Sequence, residues 1–364
     1  MTDFDPIDTL RPHIRDLPSY EAISDSVAIA EQYGIAKKDI LRLDGNENPF
    51  GASPLALQAL QNGYEPERYT DANQTLLREA LQEFLQVPAE NIVAGAGSDE
   101  LIDLIYRMWV HPGDRIVTCG PTFGMYAFDA AIHQAEFIDI KRKNDWSVDE
   151  EALLHEAENA KLVILATPNN PTGNALSPLL VKELLKTNAL IILDEAYIEF
   201  SQTNSMVDIA SSHPSLIVLR TFSKWAGLAG LRIGYAVANK RTVDVFMKTK
   251  QPYNVSTPSV AAAIASLHDT EELDRRASIL TSERDRMFAV LEKISWLEPF
   301  PSETNFLLVR TIERDARQIS DKLRRKGIFI RTYSEEIIKD CIRISMGTSS
   351  QNDRVIEALS NLEI

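Results

Sequence analysis

Lys224 closes the run Thr221-Phe222-Ser223-Lys224, and Arg232 follows eight residues later. An amine that must form an imine works only if its carbonyl partner is held beside it. Two hydroxyls and a guanidinium can do this by gripping a phosphate. The combination is the signature of a pyridoxal 5'-phosphate (PLP) site. A lysine after a strand, taken alone, is more often a solvated charge, so the weight falls on four other segments and their order.

Gly95-Ala96-Gly97-Ser98-Asp99-Glu100 opens a helical pattern, and its small residues let backbone amides approach an anion at the helix N-terminus. The same string also fits an ordinary Ser98 N-cap followed by an acidic first turn. Phe123, in Pro121-Thr122-Phe123, stands just past a strand, where its ring can stack on a planar heterocycle or fill the core. The segment 166–173, Ala-Thr-Pro-Asn-Asn-Pro-Thr-Gly, is a strand running into a rigid turn. A turn does not require the second asparagine, Asn170, whose amide can bond a phenolic oxygen. Asp194 ends an apolar run, with Tyr197 three residues on. A buried carboxylate needs a partner, and a pyridinium N–H suits it; a helix-capping Asp beside a surface Tyr is the plainer reading.

The elements that must position these groups are legible as short apolar runs at 115–119, 162–166, 190–193, 216–219 and 232–238. Unbroken Val/Ile/Leu runs too short for helices read as strands buried on both faces. Between them lie helical patterns such as 99–110, apolar at 101, 102, 104, 105, 108 and 109. The alternation predicts an α/β fold with a mostly parallel sheet and a ligand at the carboxyl ends of its strands. Past residue 270 the character changes: a charged helical segment at 271–294, then strands at 305–310, 328–331 and 341–345 around a helix at 315–326. The chain is expected to divide into an N-terminal arm (1–44) packing on a small α+β domain (271–364), with a large domain (45–270) between them.

Bulk properties agree with an enzyme acting on small molecules. The 364 residues are 44% hydrophobic, enough for one large core and a satellite. Lys+Arg of 38 against Asp+Glu of 53 gives a net charge of −15, which repels nucleic acid and anionic membranes. Two isolated cysteines and six histidines without metal spacing suggest neither disulfides nor a metal site. The polar, acidic start and the absence of an apolar run of roughly 20 residues predict a cytoplasmic protein without a membrane span.

Taken together, the ordered segments resemble the aspartate-aminotransferase superfamily of fold-type I PLP enzymes. More narrowly, Leu43-Asp44-Gly45-Asn46-Glu47-Asn48-Pro49-Phe50-Gly51, Arg68-Tyr69, Ala229-Gly230-Leu231-Arg232-Ile233-Gly234, Pro252-Tyr253-Asn254-Val255-Ser256, Thr304-Asn305-Phe306 and Cys341-Ile342-Arg343-Ile344 resemble histidinol-phosphate aminotransferases. The resemblance implies a seven-stranded, mostly parallel sheet between helices. It implies that Lys224 bonds the cofactor and shuttles the proton, that Asp194 partners the pyridinium, and that Asn170 and Tyr197 donate to the ring oxygen while Phe123 stacks on the ring. Gly97, Ser98, Asp99, Thr221, Ser223 and Arg232 would hold the phosphate, joined by Tyr69 from a neighbouring subunit, so a homodimer with shared sites is implied. Arg343 would clamp a substrate anion, with Arg331 as a second arm, Asn46 as a further substrate contact and Tyr20 closing over the substrate.

Two departures bear on substrate. Phe123 replaces the family's usual tyrosine, and 332–340 lacks the Pro-Gly that often precedes the last strand. The implied reaction is transamination between L-histidinol phosphate and 2-oxoglutarate. An aromatic or broad-range aminotransferase and a threonine-phosphate-type decarboxylase share the scaffold. A ligand-sensing protein is disfavoured by the intact Lys224 and the lack of a basic helix-turn-helix segment.

Overall fold

In the computed structural model, residues 5–17, 26–62 and 64–362 are described. The strands, in chain order, are β1 (Leu41–Leu43), β2 (Ile92–Gly95), β3 (Arg115–Gly120), β4 (Glu136–Lys141), β5 (Leu162–Ala166), β6 (Leu190–Asp194), β7 (Leu216–Thr221), β8 (Gly234–Ala238), β9 (Leu297–Pro299), β10 (Phe306–Thr311), β11 (Ile328–Thr332) and β12 (Cys341–Ser345). They form two sheets: seven strands in the order β2-β8-β7-β6-β5-β3-β4, and five in the order β1-β11-β12-β10-β9.

The larger sheet is mostly parallel. Only β8 runs against its neighbours β2 and β7, while β4, β3, β5, β6 and β7 run together. Every residue of β5 and β7 is buried, as is β6 beyond its first residue, because helices cover both faces and no face is left for polar side chains. Burying each such Val, Ile or Leu contributes roughly 1.5–3 kcal/mol. Helix Ser98–Trp109 turns Leu101, Ile102, Leu104 and Ile105 inward at helical spacing.

Strand order reverses between β3 and β5. After β3 the chain steps outward to β4, then returns to add β5 on the other side. The loops leaving β3 and β5 therefore part in opposite directions and open a crevice at their carboxyl ends. Asn169 ties its rims together: its Nδ2 donates to the Pro121 carbonyl at 2.9 Å, and its Oδ1 accepts from Thr122 Oγ1 at 2.7 Å.

Two local expectations are corrected. The run at 232–238 is a strand only from Gly234. Arg232 ends a short 3-10 turn in the left-handed region at φ 50°, because β8 must enter antiparallel and needs a reversal there. Ser98 is not the N-cap of its helix: Gly97 is, at φ 84°. The N-terminal segment touches both layers. Leu41–Leu43 pairs parallel with β11 in the smaller sheet, whereas His13 Nε2 lies 3.0 Å from the Ile132 carbonyl, at the end of helix Met125–Ile132.

Gly234 is where β8 meets the loop below it. A Cβ there would lie 2.7 Å from Ser98 N, 2.9 Å from Arg220 O and 2.9 Å from Gly97 C, all backbone atoms with no rotamer to relieve the clash. We expect Gly234→Ala to cost about 2 kcal/mol or more, read as a lower urea midpoint. An unchanged midpoint would contradict this packing.

Candidate active site

The carboxyl ends of β2, β3, β5, β6 and β7 and the start of antiparallel β8 all open at one edge of the larger sheet, and the smaller sheet lies over it. Between them is a cavity of about 610 Å³. Its walls carry Ser98, Asp99, Phe123, Asn170, Asp194, Tyr197, Thr221, Ser223, Lys224 and Arg232 from the larger layer. Asn46, Arg331 and Arg343 come from the smaller one.

At one end Asp194, 5% exposed, closes β6. Its Oδ1 accepts from the Ala196 N–H at 3.1 Å and its Oδ2 from the Tyr126 hydroxyl at 2.7 Å. Burial pushes its pKa up to about 6, and the Tyr126 and Ala196 hydrogen bonds oppose the rise. This is a carboxylate short of one cationic partner.

Another part of the wall is built for an anion. The Gly97 backbone at φ 84° brings helix Ser98–Trp109 up against Arg232, so close that a Cβ on Gly97 would sit 2.7 Å from Arg232 Nη2. First-turn amides have no intrahelical acceptor and face outward with the positive end of the helix dipole. Arg232 also pairs with Asp99 at 2.6 Å. Thr221 and Ser223 stand beside them, the Thr221 hydroxyl 2.9 Å from that of Ser223.

Lys224 Nζ donates to the Gly45 carbonyl at 3.0 Å. Burial first, and the Arg343 cation second, lower its pKa to about 8, which favours the neutral amine a nucleophile requires. Tyr197 is buried, accepts from Asn46 Nδ2 at 2.9 Å and packs edge-on against Phe306. Asn46, at φ 53°, also accepts from the Ser345 hydroxyl at 2.8 Å. It thereby joins the two sheets.

Arg343, 7% exposed, donates to Asn170 Oδ1 at 2.5 Å and to the Asp44 carbonyl at 2.6 Å. Asn170 keeps its Nδ2 as a donor. Arg331 stands directly opposite Arg343 in the β11–β12 register, and its guanidinium has no hydrogen bond or ion pair among the described residues. Like charges facing across a strand pair are unfavourable without a shared anion.

Of the described sequence candidates, Tyr69 stands apart from this cavity: it is 82% exposed and stacks on Tyr253 with centroids 4.4 Å apart. Tyr20 lies outside the described residues. Sequence reasoning missed Tyr126, whose signal is a hydroxyl one turn after Phe123 in a mostly apolar helix. It also missed the Asp44 and Gly45 carbonyls, Ser345 and Tyr333, which carry no distinctive local pattern.

The chain matches the model of aminotransferase class I and II over residues 38–359. The histidinol-phosphate aminotransferase of Roseiflexus castenholzii is 44% identical over 363 residues, covering 97% of this chain and 98% of that one. The chloroplastic histidinol-phosphate aminotransferase 1 of Arabidopsis thaliana is 40% identical over 353 residues, covering 96% and 85%. The chain belongs to the histidinol-phosphate aminotransferase family. Among solved structures, the histidinol-phosphate aminotransferase of Sinorhizobium meliloti in complex with PLP superposes with a TM-score of 0.87 at 32% identity, covering 96% of each chain. Family membership and the fold-type I architecture thus agree with the ordered segments.

The aminotransferase site makes a testable statement about its lysine before any ligand binds. In cofactor-free protein, acetylation of Lys224 by acetic anhydride should be half-maximal near pH 8, while surface lysines lag toward about pH 10.4. A Lys224 profile superposing on the surface lysines in mass spectrometry would contradict its desolvation.

Proposed function

We propose that the protein transfers the amino group of L-histidinol phosphate to 2-oxoglutarate, giving imidazole-acetol phosphate and L-glutamate, with PLP as its cofactor. The residues present fit that cofactor. Asp194 is a buried anion facing the cavity, matching a pyridinium. Gly97, Ser98 and Asp99 with Thr221, Ser223 and Arg232 would cup a phosphate, and a Cβ on Gly97 would press on the Arg232 guanidinium. Asn170 and Tyr197 offer an amide and a phenol to the ring oxygen, and Phe123 lines the cavity where a ring face would rest.

When bound, PLP supplies the carbonyl that carries the amino group and the ring that takes up electrons. The chain's part is binding, orientation and proton movement. Lys224, as a neutral amine, would take the proton from the donor's α-carbon and deliver it to the cofactor carbon that carried the aldehyde. Asp194 keeps a proton on the ring nitrogen by remaining anionic beside it. Tyr197, whose pKa burial raises to about 12, stays a phenol and donates.

One observation carries the substrate reading. Arg331 and Arg343 face each other across β11 and β12, and both line the cavity. A phosphate with two negative charges resolves that juxtaposition at one end of the donor, and the carboxylate of a 2-oxo acid can take the same clamp in the return half. The relatives' names point the same way. Tyr69, exposed on this chain, reaches the phosphate of a second copy in this reading, so the working unit is a homodimer. A cytoplasmic location fits a chain in which no helix among the described residues is long and apolar enough to cross a membrane.

The test is a steady-state donor panel. Histidinol phosphate should exceed phenylalanine in kcat/KM by at least about a hundredfold, the worth of a bidentate charged contact. A preference for phenylalanine would overturn the assignment in favour of an aromatic aminotransferase, and carbon dioxide release from threonine phosphate would indicate a decarboxylase.

A further inference from the structure

The roles above leave one buried group beside the site unused. Tyr126 lies in helix Met125–Ile132 and is fully enclosed, 0% exposed. Its hydroxyl donates to Asp194 Oδ2 at 2.7 Å, its backbone carbonyl accepts from the Tyr106 hydroxyl at 2.9 Å, and its ring meets Phe123 edge-on, at 84° with centroids 5.6 Å apart. We propose that Tyr126 is a positioning residue that acts through Asp194: it holds the carboxylate in one orientation and keeps it ionised for the ring nitrogen, while its ring packs perpendicular to that of Phe123. This rests on the PLP reading of the site.

The choice of a phenol has a physical reason. Asp194 is desolvated, and desolvation favours the neutral acid, which could not hold a pyridinium. The groups acting on it are the Tyr126 hydroxyl, the Ala196 N–H and the Lys224 cation, which favour the anion, and Asp99, which opposes it; the Tyr197 phenol is also near enough to feel its charge. An arginine in place of Tyr126 would neutralise Asp194 and compete with the cofactor for it. A neutral O–H donor stabilises the carboxylate and leaves its whole charge available. The phenol cannot lose its own proton instead, because burial and the neighbouring carboxylate hold the Tyr126 pKa far above its ordinary value. Tyr126 therefore meets both requirements of the site: Asp194 anionic, and the cavity short of one cation.

The experiment compares wild type with Tyr126→Phe, which removes one oxygen and keeps the ring against Phe123. The Asp194 carboxyl, labelled with 13C and assigned by its absence in Asp194→Asn, is titrated in the cofactor-free chain. Losing the donor should move its midpoint upward by about one pH unit or more, and PLP should then bind roughly tenfold more weakly. A merely structural role predicts a lower melting temperature with the midpoint in place. An unchanged midpoint with unchanged PLP affinity overturns the proposal. Should Tyr126→Phe fail to fold, the wild type still decides: the Asp194 carboxyl signal must show a hydrogen/deuterium isotope shift from the phenolic proton, and its absence overturns the proposal. Both carboxyl readings are made without cofactor, so they fail or succeed apart from the PLP assignment, which the retention of PLP by wild type tests separately.

Discussion

A carboxylate at the buried end of a strand is the constraint from which the site follows. Among the described residues Asp194 has two hydrogen bonds and no cation in contact, and leaving a buried charge without its partner typically costs about 3–5 kcal/mol. The chain tolerates this because β6 ends at the crevice that the strand-order reversal opens, where a ligand can supply the missing charge. The same edge receives the helix start at Gly97, the turn at Asn170 and the loop of Lys224. Parallel strands deliver their carboxyl ends together, and antiparallel β8 contributes its start, so Arg232 arrives at the same place. Topology, more than any single contact, gathers the groups.

The smaller sheet supplies what the larger one lacks. It brings the paired cations Arg331 and Arg343 and the polar joint at Asn46, which reaches Tyr197 on one side and Ser345 on the other. Two facing guanidiniums from the roof and a buried anion in the floor line the same cavity. A ligand carrying a cationic ring nitrogen and separate anionic groups satisfies both, and the ordering of cavity charges is therefore itself a description of what binds.

Much of this was legible in the sequence, for reasons that differ by residue. Strands β5, β6 and β7 were readable because burial on both faces leaves unbroken apolar runs, whereas β4 is only partly buried and gives no such signal. Asp194 stood out as a charge ending such a run, and Lys224 as an amine after two hydroxyls. The entry to β8 was misjudged by two residues, since the left-handed turn at Arg232 follows from sheet direction and not from local propensity. Gly97 took the cap expected of Ser98 because the chain enters the helix at φ 84°, a conformation that side chains rarely adopt. Tyr126 escaped notice because its role depends on a partner 68 residues away, and the Asp44 and Gly45 contacts run through backbone carbonyls that every residue has. The facing of Arg331 and Arg343 needed strand register, which an irregular connection between them hid.

In the proposed reaction, Lys224 is the amine that joins the cofactor's aldehyde inside this cavity. Borohydride reduction of the PLP-loaded protein followed by peptide mapping tests it most directly. The prediction is a single phosphopyridoxyl label on the peptide containing Lys224; a label on another lysine, with Lys224 unmodified, would contradict it.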